Sequence, residues 1–559
     1  MSRRRNQRHT FIQNEQVIQA LQESESEGDF SAGSSNEYVP SEHSDESETS
    51  SPTSISSEAI EENTIPTVQD QPSCDPENLW SFQSARPQNF IFTGNASFNI
   101  PEVSTPGEFI DVFFSDNFVD HIVQMTNAYA KSTPGPVQKN ARSLQWKETN
   151  RKEMRQFIGI LLYLGIVSAP TIAHYWSKDL LYNFPFIRKV MSRNRFQILL
   201  RYLHFSENDE EAGTDRLHKI TPVLDWFNHI MMTIYQPHQS LSIDESMVLW
   251  RGRLVFRQYI KNKKHKYGVK LYQLCESSGL VLKIRIYRGK ADRPSSGSLH
   301  STEVVMDLLN GYFDKGHIVY TDNFYNSVDL ARKMSAKKTY ICGTLRANRK
   351  GNPSEVVKAK LKKGEIAAMS SGDITICKWK DKREVMVISN KHKINLIRVR
   401  NRNGKIAIKP NIIADYNLGM SGIDRADQMT SYYSCLRKTL RWYKKIAIHF
   451  FDIYLQNAHR LYRFQHPESK MRLLKFREEI IKHLIGPLND VPQSTARPTT
   501  QEIHYLDLIP ATEKKNAPTK PCRVCTRNKK RRESRYVCGV CPERPALCVT
   551  PCFRTYHAQ

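Results

Sequence analysis

The sequence predicts an α/β core held between helical segments, carrying an inserted β-rich stretch and followed by a cysteine-rich metal-binding module. Three observations predict it. Apolar residues recur with a helical period from about residue 105 to 240, and the period changes to alternation near 240. Beyond that point the strand-like and helix-like stretches run strand, strand, strand, helix, strand, helix, strand. Six of the eleven cysteines crowd the last 38 residues.

Charge divides the chain before any element does. Arg3, Arg4, Arg5 and Arg8 open it, and residues 9–85 then hold sixteen Asp or Glu and no Lys or Arg, a net of −16. Residues 1–104 are too poor in large apolar side chains to offset the entropy of ordering, so they read as a disordered acidic N-terminal region. Residues 86–559 carry +37, a charge that suits a polyanion partner, above all nucleic acid. The longest apolar run, Phe157 to Val167, has 11 residues, against the roughly 18 or more needed to span a bilayer. No secretory leader is apparent after Met1-Ser2-Arg3, so a soluble, intracellular chain without membrane association is expected.

Residues 105–240 form the first part of a helical domain. Phe109, Val112, Phe113 and Phe114, then Val119 and Ile122, fit one amphipathic helix; Glu153–Leu164 and Arg193–Phe205 continue the pattern. Arg193, Arg195 and Arg201 on the last of these give either a solvated face or one turned to DNA. Residues 241–349 start the core, with strands at Gln239–Trp250, Lys264–Glu276 and Leu280–Tyr287, a helix at Ser301–Phe313 and a short strand to Asp322. A helix at Ser327–Ala336 and a strand at Thr339–Leu345 follow. This is the element order of an RNase H-like core. Residues 350–412 read as the β-rich insertion, with strands at Ile374–Trp379, Glu384–Ser389 and Asn395–Arg400 and a turn at Asn403-Gly404. The core resumes over 413–430. Residues 431–490 supply the second helical part, with one long helix at Lys438–Tyr462, and 491–520 read as a linker.

Three aspartates stand where apolar residues belong. Asp244 interrupts an apolar strand, Asp322 ends another, and Asp424 opens a later helix with Asp427 one turn on. A carboxylate in a buried strand is costly unless paired or bound to a cation, and a few together suit Mg²⁺-dependent phosphoryl transfer. Each also has a structural reading: Asp322 as a turn former, Asp424 as a helix cap, Asp244 as one half of an ion pair.

Cys522, Cys525, Cys538, Cys541, Cys548, Cys552 and His557 make a zinc pattern, two Cys-x-x-Cys pairs followed by three more ligands. Seven ligands exceed one tetrahedral site and fall one short of two. Either another residue, with His504 a candidate, or water completes the set, so one or two Zn²⁺ are expected. Between the pairs, Lys529, Lys530, Arg531 and Arg532 suit phosphate contacts, nuclear import, or a solvated loop.

Ser242-Ile243-Asp244-Glu245, Trp250-Arg251-Gly252-Arg253, Lys266-Tyr267-Gly268-Val269-Lys270, Thr321-Asp322-Asn323-Phe324-Tyr325-Asn326-Ser327, Gly422-Ile423-Asp424-Arg425-Ala426-Asp427-Gln428 and Leu436-Arg437-Lys438-Thr439-Leu440-Arg441-Trp442 together resemble a piggyBac-family transposase. The resemblance runs from about residue 105 to the C-terminus. It implies an RNase H-like nuclease and strand-transfer core with Asp244, Asp322 and Asp424 as its triad on Mg²⁺ or Mn²⁺, and Asp427 as a supporting carboxylate. It implies excision through DNA hairpins, insertion at TTAA, action as a homodimer in the nucleus, and a cross-braced cysteine domain reading transposon-end DNA over 521–559. The helical segments on both sides of the core would then form one dimerisation and DNA-binding domain. Arg437, Lys438, Arg441 and Trp442 would contact double-stranded DNA, although Trp442 shares an apolar stripe with Ile446 and Phe450, which favours a core residue. The alternative is a domesticated transposase-derived protein that binds DNA without cutting it.

Overall fold

The computed structural model describes residues 80–82, 85–100, 103–133, 146–207, 215–260, 266–292, 299–400, 406–488 and 504–558. Residues 1–79 of the region 1–104 expected to be disordered, the Asn403-Gly404 turn and residues 491–503 of the expected linker lie outside them, whereas Ser97–Phe98 within 1–104 is ordered by pairing with Tyr235–Gln236. The described residues fall into two compact units, one holding 394–400 with 406–414 and the other the remainder.

Where one helix was expected across 109–122 there are two. Helix α1 (Pro106–Phe113) starts in a capping box: the Thr105 hydroxyl accepts the Glu108 N–H, and the Glu108 carboxylate accepts the Thr105 N–H at 2.9 Å. It stops at Phe114, because the Ser115 hydroxyl accepts the Phe118 N–H and opens α2 (Asp116–Ser132) afresh. Apolar spacing runs through this break, so it is invisible to periodicity. Helices α3 (Arg151–Ile166), α4 (Arg193–Tyr202) and α5 (Thr221–Ile234) follow. On α4, Arg195 is committed to a two-pronged pair with Glu153, at 2.7 and 2.6 Å.

Among the described residues the largest sheet has nine strands. They are β1 (Ser240–Leu249), β2 (Gln258–Tyr259), β3 (Tyr267–Glu276), β4 (Val281–Ile286), β5 (Ile318–Thr321), β6 (Tyr340–Thr344), β7 (Ile366–Ser371), β8 (Ile374–Lys380) and β9 (Glu384–Ser389). Strands β1, β3 and β4 make the antiparallel meander read from the sequence, and β1, β5 and β6 are parallel neighbours. The parallel crossovers carry α6 (His300–Leu308) and α7 (Val328–Ala336). The mixed sheet continues as β6–β9–β8–β7, all antiparallel. The stretch expected as a β-rich insertion is therefore split. Its strands β7–β9 lengthen the core sheet, because β9 pairs Val387–Ser389 with Cys342–Thr344 of β6. Only β10 (Leu396–Arg400) and β11 (Ile406–Pro410) belong to the other compact unit, where they pair antiparallel.

Helix α8 (Asn411–Gly419) leads to α9 (Gly422–Tyr432), α10 (Trp442–Gln465) and α11 (Leu473–Ile485). Helix α10 begins four residues later than expected. Arg437 explains the delay: its guanidinium donates to the carbonyls of Ser434, Leu436 and Leu164 and to the Tyr175 hydroxyl, which pins the approach in a non-helical form. Rings from both ends of the helical region share one core, with Phe109 on Tyr462 at 5.5 Å, Phe114 on Phe451 at 5.1 Å and Phe227 on Tyr454 at 5.8 Å. Burial of such large rings, about 25 cal/mol per Å² of apolar surface, binds segments more than 200 residues apart. No described helix is long and apolar enough to cross a membrane.

Candidate metal centres

Strand register builds the first centre. In the parallel pair β1–β5, Ile243 lies opposite Thr321, and the next residue on each strand is an aspartate, Asp244 and Asp322. Strand β5 ends there, leaving an opening beside β1. Carboxylate oxygens of Asp244, Asp322 and Glu245 meet in it, all within 4.8 Å of one another. Glu245 was not among the residues singled out from the sequence; it stands beside Asp244 in the motif, but nothing in the motif says that its longer side chain reaches the same opening.

The turn after β5 is locked for a reason. Buried Asn326 donates to the carbonyls of Thr321, Asp322 and Thr344 at 3.1, 3.1 and 2.8 Å, and its own oxygen accepts the Thr321 hydroxyl at 2.7 Å. Gly343 makes room for this, since a Cβ there would lie 2.3 Å from the Asn326 amide nitrogen. Asp322 is also a turn former, as its structural reading proposed: one oxygen accepts the Phe324 N–H at 2.7 Å. Burial holds the Asp322 acid above its ordinary range, the Phe324 N–H works against that, and the Glu245 charge adds to it. Tyr416 on α8, also absent from the sequence reading, faces the same charges; burial first, then Asp322 and Asp244, push its hydroxyl up to about 12 despite a hydrogen bond with Thr344.

Asp424 and Asp427 are placed differently. Helix α9 packs on β1 and β3 so closely that a Cβ on Gly422 would lie 2.4 Å from the Glu276 carbonyl and 2.5 Å from the Ser242 hydroxyl. Asp424 sits exposed in its first turn and is not part of the group formed by Asp244, Glu245 and Asp322. Asp427 accepts the Ser246 hydroxyl at 2.6 Å, which fastens α9 to β1. Hard oxygen donors of this kind fit Mg²⁺ or Mn²⁺, which keep several waters and take few carboxylates.

Of the residues expected to meet DNA, Lys438 and Arg441 are exposed, and Arg437 is consumed by the fold as described above. Trp442 is half-buried, edge-on to Phe256 at 5.2 Å. Lys529, Lys530, Arg531 and Arg532 are all exposed.

The second centre is a pair of sites in the C-terminal module. Cys522, Cys525, Cys548 and Cys552 form one four-ligand group; His504, Cys538, Cys541 and His557 form the other. The question of the missing eighth ligand is answered by His504, 3.4 Å from the Cys538 sulfur and 3.5 Å from that of Cys541. His504 escaped as more than a candidate because it lies in what composition reads as linker. That reading fails for 504–520: Leu506–Leu508 pairs with Tyr536–Cys538, and Lys520–Pro521 with Glu533–Ser534, which ties the segment into the module. The Cys525 sulfur lies 3.5 Å from that of Cys552 and 3.9 Å from that of Cys548. Tetrahedral Zn²⁺ with Zn–S near 2.3 Å sets sulfurs about 3.8 Å apart, so the donor set fits zinc. His557 receives support of the usual kind: its Nδ1 is 2.8 Å from the Phe553 carbonyl, which turns Nε2 toward Cys541 at 3.3 Å. Burial tends to raise the Cys522 thiol, but backbone N–H groups of Cys525 and Cys548 outweigh it and bring it down to about 7.

Comparison with known proteins finds relatives of both regions of the chain. A family described as Transposase IS4 matches residues 105–459, and one described as a DDE_Tnp_1-like zinc finger matches residues 501–558. The chain is 26% identical over 446 residues to human PiggyBac transposable element-derived protein 3, across 76% of this chain and 72% of that one. It is 25% identical over 428 residues to human PiggyBac transposable element-derived protein 2, across 72% and 70%. A solved chain from the cryo-EM structure of a piggyBac transposase synaptic complex with hairpin DNA shares the fold, with a TM-score of 0.64 at 22% identity over 81% of this chain and 97% of that one.

Proposed function

Because the chain belongs to the piggyBac family of transposases, we propose that it is a DNA transposase, a nuclease and strand transferase acting at transposon ends. The observation that carries the reading is the parallel register that sets Asp244 beside Asp322, with their oxygens and those of Glu245 inside 4.8 Å. Asp244 and Asp322 would hold Mg²⁺ or Mn²⁺, with Asp424 joining from α9. The bound ions would supply activation of the attacking oxygen and stabilisation of the leaving one. The chain's own part is positional: Asn326 and the Phe324 N–H fix Asp322, while Gly422 and Asp427 fix the helix that carries Asp424. The core would be RNase H-like. Hairpin intermediates, TTAA targets, a homodimer and a nuclear location follow from the family resemblance. Zn²⁺ at the two four-ligand groups would shape the C-terminal module, with exposed Lys438, Arg441 and Lys529 to Arg532 supplying phosphate contacts on double-stranded DNA.

A second reading, a DNA-binding derivative that no longer cuts, is favoured by one observation: exposed Asp424 lies outside the assembled carboxylate group. The two separate in one experiment. Purified protein, Mg²⁺ and DNA carrying the cognate terminal repeats should give strand cleavage at the repeat ends. Retained binding with no cleavage at any divalent-ion concentration would rule out the transposase and leave the derivative.

A further inference from the structure

An ammonium group is built into the carboxylate centre. Lys270 on β3 donates to Glu245 at 2.7 Å, and the two side chains are only 10% and 12% exposed. The same ammonium stands over the Tyr272 ring at 4.6 Å and the Phe324 ring at 4.5 Å. Phe324 is the residue whose backbone N–H holds Asp322. One side chain thus touches what both strands bring to the site: the acid next to Asp244 on β1, and the loop that fixes Asp322 after β5. Arg346 differs, standing exposed and bonded to Asn323 at 2.9 Å, whereas Lys270 is withdrawn from solvent. Withdrawing an ammonium from water is costly, as is crowding three carboxyl groups within 4.8 Å, and each cost offsets the other.

We propose that Lys270 is the resident counter-cation of this centre, a positioning residue that holds Glu245 and the Asp322 loop together before a divalent ion arrives and that competes with the ion for the same negative charge. The inference rests on the divalent-ion reading of Asp244 and Asp322. It predicts a direction that damage to the fold would not produce. Removing the lysine should tighten ion binding, because the ion then faces one more unit of uncompensated negative charge at short range.

The test is Mn²⁺ titration of the full-length, zinc-loaded protein by calorimetry, with Asp322→Asn as the blank. Lys270→Met should bind Mn²⁺ roughly tenfold more tightly than wild type, Lys270→Arg about as wild type, and Glu245→Gln roughly tenfold more weakly. The double variant Lys270→Met with Glu245→Gln restores the net charge of the site and should return near the wild-type affinity. If Lys270→Met does not fold, Glu245→Gln and Lys270→Arg still carry the test. Unchanged or weaker binding in folded Lys270→Met, or unchanged binding in Glu245→Gln, overturns the role of Lys270 and leaves the metal reading standing. Absence of any Asp322-dependent Mn²⁺ binding in the wild type overturns both.

Discussion

The two candidate metal centres are built on opposite plans. In the core, the sheet comes first. Register sets Asp244 beside Asp322, an asparagine locks the turn, and an internal lysine already balances part of the charge, so hydrogen bonds and apolar packing account for the geometry. In the C-terminal module the ligands themselves are the core. Cys522, Cys525, Cys538 and Cys552 form its buried cluster along with Leu547, and only short strands and short helices surround them. A module this small buries too little apolar surface to stand alone, so ion binding and folding are one event. A site that chemistry must open and close is carried by a rigid scaffold; a site that is purely architectural can be its own scaffold.

The sharpest break between them should come from zinc removal. Chelation, or Cys525→Ser, should unfold the module with a loss of about 10 kcal/mol or more, while the body keeps its fold. All seven tryptophans lie between Trp80 and Trp442, so tryptophan fluorescence reports the body alone and a chromogenic chelator reports the module. Loss of the tryptophan signal on chelation would show that the two are not independent.

Next in size is Asp322→Asn. The amide keeps the turn but loses the charge, so cleavage should fall by at least roughly two orders of magnitude with DNA binding nearly unchanged. If binding fell equally, Asp322 would be a structural turn former and nothing more.

Acid should separate the centres by a third route. Burial holds His317 and His459 down at about 4, and one ring nitrogen of each has no hydrogen-bond partner, as expected of neutral imidazoles. A histidine lowered in the fold lends stability that is full above its unfolded value near 6.5 and is lost as pH falls from there toward 4. Each should cost at most about 3 kcal/mol over that window. A melting series by tryptophan fluorescence should show the decline, and His317→Gln should flatten it; an unchanged slope would assign the acid loss elsewhere. Zinc release over the same range should be insensitive to that substitution.

The smallest effect should be on DNA affinity. Arg531→Ala removes one exposed charge, so the slope of log affinity against log salt should shrink by about 0.9. Arg437→Ala should instead lower stability with little change in that slope, since its guanidinium is spent on Ser434, Leu436, Leu164 and Tyr175. Equal slopes for Arg531→Ala and wild type would remove the basic loop from the DNA contacts.

The order of strands and helices in the core was legible because alternation and helical period differ over lengths of four to ten residues, and β1, β3, β4, β5 and β6 lie where the pattern put them. Asp244 and Asp322 were legible because a charge in an apolar strand stands out. What escaped depended on partners distant in sequence. Strands β7 to β9 were visible as strands, but their pairing onto β6 is a long-range choice that local pattern does not encode. Ser115 was read as part of a helix because its capping bond competes with a periodicity that continues on both sides. Glu245 and His504 were missed or underweighted for the same reason: each joins its site through reach across space, one around the end of β5 and the other across to Cys538 and Cys541.

The order of the eight candidate zinc ligands along the chain has one more consequence. The members of the two groups alternate: His504, then Cys522 and Cys525, then Cys538 and Cys541, then Cys548 and Cys552, then His557. Each ion would therefore close a stretch of chain that carries ligands of the other. Such a structure cannot be half built. Filling either site brings the strands of its neighbour into place, and emptying either slackens both. Zinc content per molecule should read as two or none across a titration, so the module works as a single all-or-none latch and not as two adjustable ones.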